Sequence, residues 1–346
     1  MPRLPSVNLE RTEAERSLRI LLRARAVNKE FHIRTIGNHV FIPVIPQNLP
    51  EGYKTVTKEF NPRTVTESLT HKIRKRLSEA GNGEVWVPKK WIRYGDSIIL
   101  KQPPEGGIEK EIAGLILEES GSKAVYVDMS QVSGQMRKPD IRLIAGVGHD
   151  VIHRENGVRY TFDPSRVMFS PGNVNVRGTI ARMDLKGKTI LDMFSGIGYF
   201  AIPAAKFSGC SGVYCSEINP ESYEYLKKNI ALNSVGGIVK TKNEDCRKAW
   251  GEVMADLIIM GHFDSLQYLD SALPRTKPKS RIIMHVICRT GQSDKKVSEI
   301  IGKADDLGYS IELENKITVK SYSPHQWHIQ LTFAVISSAV GKSIKN

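Results

Sequence analysis

Three acidic residues in the second half of the chain stand at the ends of three successive strand-like runs. Asp192 follows Thr189-Ile-Leu, Glu217 follows Val213-Tyr-Cys-Ser, and Asp245 lies just past Val239-Lys-Thr-Lys. The first run leads straight into a glycine turn, Asp192-Met-Phe194-Ser-Gly196-Ile-Gly198. Glycines at 196 and 198 let backbone approach a ligand closely. In open α/β sheets, ligands bind outside the carboxyl ends of the strands. A fourth run ends in Met260-Gly261-His262-Phe263, so a histidine stands where such a sheet places groups that face a second substrate. His262 is the candidate general base, or else a polar group at the rim of a pocket.

The charge of these residues limits the ligand. Gly196-x-Gly198-x-x-Ala201 also fits a dinucleotide fingerprint, but Asp192 beside the turn would repel a pyrophosphate. S-adenosylmethionine carries no phosphate and has an ammonium and a sulfonium, which a carboxylate suits. Glu217 is then placed to accept from ribose hydroxyls, and Asp245 from the adenine amino group. The plain alternatives are a tight turn with no ligand and three unrelated surface acids; the shared register of the three argues against them. The Asn/Asp-Pro-Pro-Tyr of enzymes that methylate exocyclic amines is absent at the fourth run. Cys210, Cys215, Cys246 and Cys288 show no metal-ligand spacing, so no metal is expected, and a reducing cytoplasmic setting fits them.

Elements that could position these groups follow from the pattern. Strands are readable at 189–194, 212–217, 237–241, 256–260 and 281–287, with helices such as 220–232 and 294–307 between them. Two last strands near 310–319 and 326–335 form a hairpin. This alternation predicts an α/β, doubly wound, mostly parallel sheet, seven-stranded, over residues 166–346. It has the layout of the Rossmann-like class I SAM-dependent methyltransferase fold. Two small α+β domains precede it. In 1–60, Thr12 and Glu15 suggest a capping box opening a helix with Arg16, Arg19 and Arg23 along one face, and strands flank Gly37-Asn38. Prolines mark a linker near 45–64. In 65–165, Leu69, Ile73 and Leu77 mark a helix, strands are expected at 84–100 and 123–128 with a helix near 108–119, and Asn156-Gly157 signals a type I′ hairpin.

The chain has 346 residues and a net charge of +13, spread over both halves, which suits a polyanionic partner, above all nucleic acid. A solvated basic surface without a partner is the bland alternative. No apolar run reaches the length of a membrane span, and the first residues do not read as a signal peptide.

The stretch Val167-Met-Phe-Ser-Pro-Gly-Asn-Val-Asn-Val-Arg177, with Asp192-Met-Phe-Ser-Gly-Ile-Gly198, resembles the family of tRNA enzymes that modify the guanosine-derived base 3′ of the anticodon. That family holds the tRNA guanine-N1 methyltransferases and the wybutosine-pathway aminocarboxypropyltransferases. The resemblance extends to Pro88-Lys-Lys-Trp-Ile-Arg-Tyr-Gly-Asp96, to Arg137-Lys-Pro-Asp140 and to Val319-Lys-Ser-Tyr-Ser-Pro-His-Gln-Trp-His328, and it covers 65–335. Residues 12–45 resemble more loosely the small tRNA-elbow-binding domain of the methyltransferase branch. Those methyltransferases show Asn-Leu-Pro after the fourth strand, whereas Met260-Gly261-His262 looks like the Met-Gly-Tyr of the archaeal aminocarboxypropyltransferases. Phe169-Ser-Pro-Gly-Asn173 is also closer to that branch. The resemblance implies cofactor contacts at Ser170, Arg177, Glu217, Asp245 and Cys246, with Arg177 suited to the methionine carboxylate. The departures are His262 in place of tyrosine and the additional N-terminal domain.

The expected activity is transfer of the 3-amino-3-carboxypropyl group of S-adenosylmethionine to C7 of 4-demethylwyosine, in the anticodon loop of phenylalanine tRNA. N1-methylation of guanosine at the same position, and a non-catalytic RNA-binding protein that keeps a cofactor fold, are the alternatives.

Overall fold

A computed structural model of the chain describes residues 1–63, 67–81, 87–101, 109–129 and 139–338. Arg137 and Lys138 of the Arg137–Asp140 motif, and residues 84–86 of the strand expected at 84–100, lie outside the described residues. The chain divides into two compact units, Met1–Lys72 and Ile73–Asn346.

The first unit holds β1 (Arg3–Glu10), α1 (Ala14–Arg23), β2 (Arg34–Ile36), β3 (His39–Pro43) and β4 (Thr55–Glu59). The strands form one antiparallel sheet in the order β2-β3-β1-β4. Leu21 of α1 packs with Val7, Ala26, Ile42 and Val44. The capping box is not formed. The helix begins after Glu13 with no side-chain cap, and Glu15 pairs with Arg19 one turn on. Residues 55–59, read as linker, are an edge strand.

The second unit begins with α2 (Leu69–Glu79; its first residues fall in the preceding unit), β5 (Trp91–Tyr94), β6 (Ser97–Leu100), α3 (Glu109–Ser120), β7 (Ala124–Asp128) and β8 (Ile141–Gly146). Its four strands pair in order, antiparallel except for β6 with β7. The hairpin β9 (Val151–Glu155) and β10 (Val158–Phe162) follows. Asn156 and Gly157 both have positive φ, 48° and 76°, as a type I′ turn needs.

The rest comprises α4 (Val174–Arg182), β11 (Thr189–Asp192), α5 (Ala201–Phe207), β12 (Gly212–Ser216), α6 (Pro220–Leu232), β13 (Val239–Lys242), β14 (Ala255–Met260), α7 (Leu269–Ala272), β15 (Thr276–Arg289), α8 (Ser293–Asp306), β16 (Tyr309–Ser323) and β17 (Gln326–Ser338). Its seven-stranded sheet runs β13-β12-β11-β14-β15-β17-β16. The first five strands are parallel, and β17 is antiparallel to both its neighbours.

Period-2 alternation sorts the central strands between two cores. Ile190, Leu257, Ile259 and Ile283 face one layer, with Val176 of α4, Ile202 of α5 and Leu226 of α6. Leu191, Ile258, Met260, Ile282 and Met284 face the other, with Ile300 of α8. The first layer also takes Tyr94, Ile99 and Tyr126 of the preceding sheet and Val158 and Phe162 of the hairpin. The segments expected as separate domains at 65–165 and 166–346 therefore share one core. Chain order reverses between β11 and β14, so the turn after β11 lies at the sheet's switch point, where ligands bind.

Candidate active site

The glycine turn is built around its own backbone. Asp192 is fully buried, and its Oδ1 accepts from the Phe194 N–H at 3.3 Å. Its Oδ2 has no hydrogen-bond partner among the described residues. Burial, with Glu217 nearby, pushes its carboxyl up to about 7 despite the bond from Phe194. Gly196 has φ +54°, and a Cβ there would stand 2.4 Å from the Tyr199 ring. Gly198 has φ +97°, and its Cβ would meet Ile202 at 2.4 Å.

Glu217, just past β12, holds this turn. Its Oε2 accepts from the Gly196 N–H at 2.7 Å and its Oε1 from the Asn219 N–H at 2.8 Å. Burial raises its pKa although those bonds pull the other way. Asp245, past β13, is gripped by Arg247, with Nη2 to Oδ2 at 2.5 Å and Nε to Oδ1 at 3.0 Å. The Arg247 hydrogen bond holds its carboxyl below the usual range. Arg247 in turn lies over the Tyr268 ring at 5.3 Å. Burial pushes the Cys246 thiol up to about 12, so it stays neutral and is no nucleophile.

At the end of β14, His262 stacks on Phe194 with ring centroids 5.4 Å apart and 29° between planes. Its Nδ1 accepts from the Asp264 N–H at 3.2 Å. A Cβ on Gly261 would press on Phe200 at 3.1 Å, so the glycine is what lets the Phe200 ring pack close to the end of β14.

The opposite wall comes from the segment before α4. Phe169 sits among Tyr94, His153, Tyr160, Phe162 and Tyr199. The Arg177 guanidinium lies over it at 4.6 Å. Arg177 is 2% exposed. Its Nε and Nη2 grip Glu155 of the hairpin at 2.5 and 2.6 Å, and Nη2 also donates to Ser170 O at 3.0 Å. Burial pushes the Glu155 carboxyl up, but hydrogen bonds from Arg177 and His153 outweigh it and leave it below the usual range. Lys320 reaches over from β16 and donates from Nζ to Ser170 Oγ at 2.5 Å.

These elements enclose a cavity of about 600 Å³, within the size range of small-molecule sites. Ser170, Arg177, Phe194, Gly196, Glu217, Asp245, Cys246 and His262 line it; Asp192 and Gly198 do not. Asp192 Oδ1 is bonded to the backbone of the turn, and Gly198 lies against Ile202. The fork of Arg177, expected on a methionine carboxylate, is filled by Glu155. Sequence reasoning missed Glu155, Lys320 and the buried pair His285 and His328. Glu155 hid beside a turn signal, and Lys320 and His328 lay within a motif quoted only for its resemblance. Among the described residues no group of His, Cys, Asp or Glu could hold a metal ion.

The donor set fits S-adenosylmethionine. Acceptors on Glu217 and Asp245 face the cavity, and the carboxylate layer under the turn suits a cation and disfavours a pyrophosphate.

Comparison with known proteins agrees with this geometry. The model of the TRM5/TYW2 methyltransferase domain matches residues 151–312. The TYW2 N-terminal domain matches 69–149, and the tRNA methyltransferase 5 N-terminal domain matches 7–53. The chain is 32% identical to the tRNA(Phe) (4-demethylwyosine(37)-C(7)) aminocarboxypropyltransferase of Pyrococcus horikoshii, over 79% of this chain and 99% of that one. It is 29% identical to the tRNA (guanine(37)-N(1))-methyltransferase Trm5b of Pyrococcus abyssi, over 95% and 98%. The crystal structure of P. horikoshii TYW2 in complex with MeSAdo superposes with a TM-score of 0.68 at 30% identity, covering 77% of this chain and 98% of that one.

Proposed function

Since the chain belongs to the TRM5/TYW2 family, we propose that it transfers the 3-amino-3-carboxypropyl group of S-adenosylmethionine to C7 of 4-demethylwyosine in phenylalanine tRNA, in the cytoplasm. The chain is a S-adenosylmethionine-dependent, tRNA-modifying transferase. The observation that carries the finer reading is the end of β14. Gly261 lets the Phe200 ring pack close against the end of β14, where a side chain would meet it at 3.1 Å, and no asparagine stands there to hold a guanine edge. Phe200, Phe263 and His262 line that end of the cavity, where the tricyclic base would sit.

The sulfonium makes three adjacent carbons electrophilic, and the carbon that reacts is the one held in line with the nucleophile. The residues therefore position rather than react. Glu217 takes the ribose hydroxyls while it keeps the Gly196 turn closed. Asp245 and the Cys246 backbone take the adenine edge, with Arg247 and Tyr268 beside it. Ser170, with Lys320 bonded to it, takes the methionine carboxylate and turns that arm toward the base. Arg177, buried against Glu155, fixes the segment that carries Ser170. Phe194 and His262 offer stacking faces for a base splayed out of its loop. In the first unit, the exposed Arg16, Arg19 and Arg23 on α1 offer contacts to the phosphates of the same tRNA.

The test is mass spectrometry of the anticodon-loop base in a strain lacking this protein. Accumulated 4-demethylwyosine is the expected result; unmodified guanosine there would refute the assignment. That second outcome is the N1-methyltransferase reading, which the match of residues 7–53 to the tRNA methyltransferase 5 N-terminal domain favours.

A further inference from the structure

An aromatic pair marks the mouth of the cavity. Tyr322, near the end of β16, lines the cavity and is nevertheless 51% exposed. Phe263, the residue after His262, stands edge-on to it with ring centroids 5.4 Å apart. Phe263 is half-buried and also lines the cavity, so the two rings lead from its wall to its rim.

A single exposed aromatic on a strand needs no explanation, but Tyr322 is presented in an unusual way. Ser321 pairs with Trp327 and Ser323 with Gln326, so the register of β16 on β17 shifts between them and Tyr322 is an extra residue in the ladder. Such bulges recur beside active sites, where they re-aim a side chain. The tip that carries it is tied down. The Thr290 N–H donates to His325 O at 3.0 Å, and Trp327 Nε1 donates to Thr290 Oγ1 at 3.1 Å. Cations flank the ring. Lys320, two residues earlier, lines the cavity, and the exposed Arg289 is the cross-strand neighbour of Gln326.

Splaying a target base out of its loop takes it off the neighbouring bases, and that unstacking costs free energy. Unstacked bases of single-stranded RNA are received on aromatic side chains. We infer that Tyr322, backed by Phe263, is the stacking platform for the nucleotide next to the target base in the tRNA loop. The target passes Phe263 into the cavity, and its neighbour stays at the rim on Tyr322. Every base has a π-face, so the platform positions the loop without reading its sequence. Lys320 and Arg289 suit the phosphates on either side, contacts that fix register in the same way.

This inference rests on the tRNA-modifying reading of the cavity, and the experiment separates the two. The full chain is given three tRNAs with 4-demethylwyosine: one intact, one abasic at the 5′ neighbour of that base and one abasic at the 3′ neighbour. The half-saturating tRNA concentration is read in single turnovers, and S-adenosylmethionine affinity by calorimetry. Tyr322→Ala should raise that concentration about tenfold or more for the intact tRNA, with S-adenosylmethionine affinity unchanged, and Tyr322→Trp should stay near the wild type. In the wild type one of the two abasic tRNAs should show a similar loss, which identifies the stacked neighbour. On that tRNA Tyr322→Ala should add nothing further, because both changes remove the same contact. A Tyr322→Ala chain that binds intact tRNA like the wild type, or a loss that persists in full on both abasic tRNAs, would overturn the inference. Reduced S-adenosylmethionine affinity in Tyr322→Ala would also overturn it and make Tyr322 part of the cofactor wall. Methyl transfer to guanosine by the wild type would instead overturn the transfer reading, and the same three tRNAs made with guanosine at the target would still decide the platform.

Discussion

Removing the Arg177 guanidinium should destabilise the second unit and reverse part of its pH dependence. Arg177 and Glu155 form a buried, bidentate pair, their side chains 2% and 9% exposed. Breaking such a pair by deleting one partner costs about 3–5 kcal/mol, because the remaining charge stays buried. At roughly 2–4 °C per kcal/mol for a unit of this size, Arg177→Ala should melt about 6–20 °C below the wild type. In the wild type the Glu155 pKa is depressed, so its contribution is present above the unfolded carboxylate pKa and is lost as pH falls through the folded value. In Arg177→Ala the uncompensated carboxylate has a raised pKa. The variant is then relatively best at acid pH and loses stability as pH rises from about 4 toward neutrality. Arg177→Lys keeps the charge without the fork and should fall between. Arg177→Met with Glu155→Leu should recover most of the loss, since a buried pair replaced by apolar groups is often neutral. The assay is thermal unfolding between acid and neutral pH, with calorimetry for S-adenosylmethionine. An Arg177→Ala chain that melts like the wild type but loses cofactor affinity would refute the reasoning and show that its fork serves the ligand.

Other outcomes follow from the same geometry. Glu217→Gln should weaken S-adenosylmethionine about tenfold or more, since a lost buried acceptor costs about 1–3 kcal/mol; unchanged calorimetric affinity in a folded variant would remove Glu217 from the ribose. Asp192 has its carboxyl raised to about 7, so its share of stability is full below the unfolded carboxylate pKa and declines as pH rises toward 7; Asp192→Asn should flatten that slope in pH-dependent melts. Gly198→Ala should unfold or strongly destabilise the chain, because φ is +97° and the new methyl would lie 2.4 Å from Ile202; a melting curve like the wild type's would contradict the turn geometry. Changing Arg16, Arg19 and Arg23 to glutamate should weaken tRNA binding and reduce its salt dependence while leaving S-adenosylmethionine affinity intact; equal tRNA affinity would give α1 another role.

The parallel sheet was legible because its strands are buried on both faces and read as apolar runs, Ile258-Ile-Met260 being the plainest. The hairpin at Asn156-Gly157 was legible because two positive φ values in a row leave few other sequences. β1 and β4 were not, since Pro5 interrupts the first and the second falls in a proline-marked stretch read as a linker, and only pairing with β3 and with each other makes them strands. The three acids were found together, yet their different fates depend on contacts the sequence does not carry. Asp192 turns under the backbone, Glu217 caps two N–H groups, and Asp245 is held by Arg247 two residues away. Arg177 was assigned to a ligand because its partner, Glu155, lies 22 residues earlier on a hairpin. His285 and His328 are 43 positions apart, and only the antiparallel placement of β17 beside β15 brings them together.

The central claim is which carbon of S-adenosylmethionine is transferred. The direct measurement uses two labels on the same cofactor, one in the methyl group and one in the methionine carboxylate, with tRNA containing 4-demethylwyosine and, separately, tRNA with unmodified guanosine at that position. The carboxylate label should enter the 4-demethylwyosine tRNA with release of methylthioadenosine, and the methyl label should enter neither RNA. Methyl label in guanosine, with release of adenosylhomocysteine, would contradict the account and place the chain on the methyltransferase side of its family.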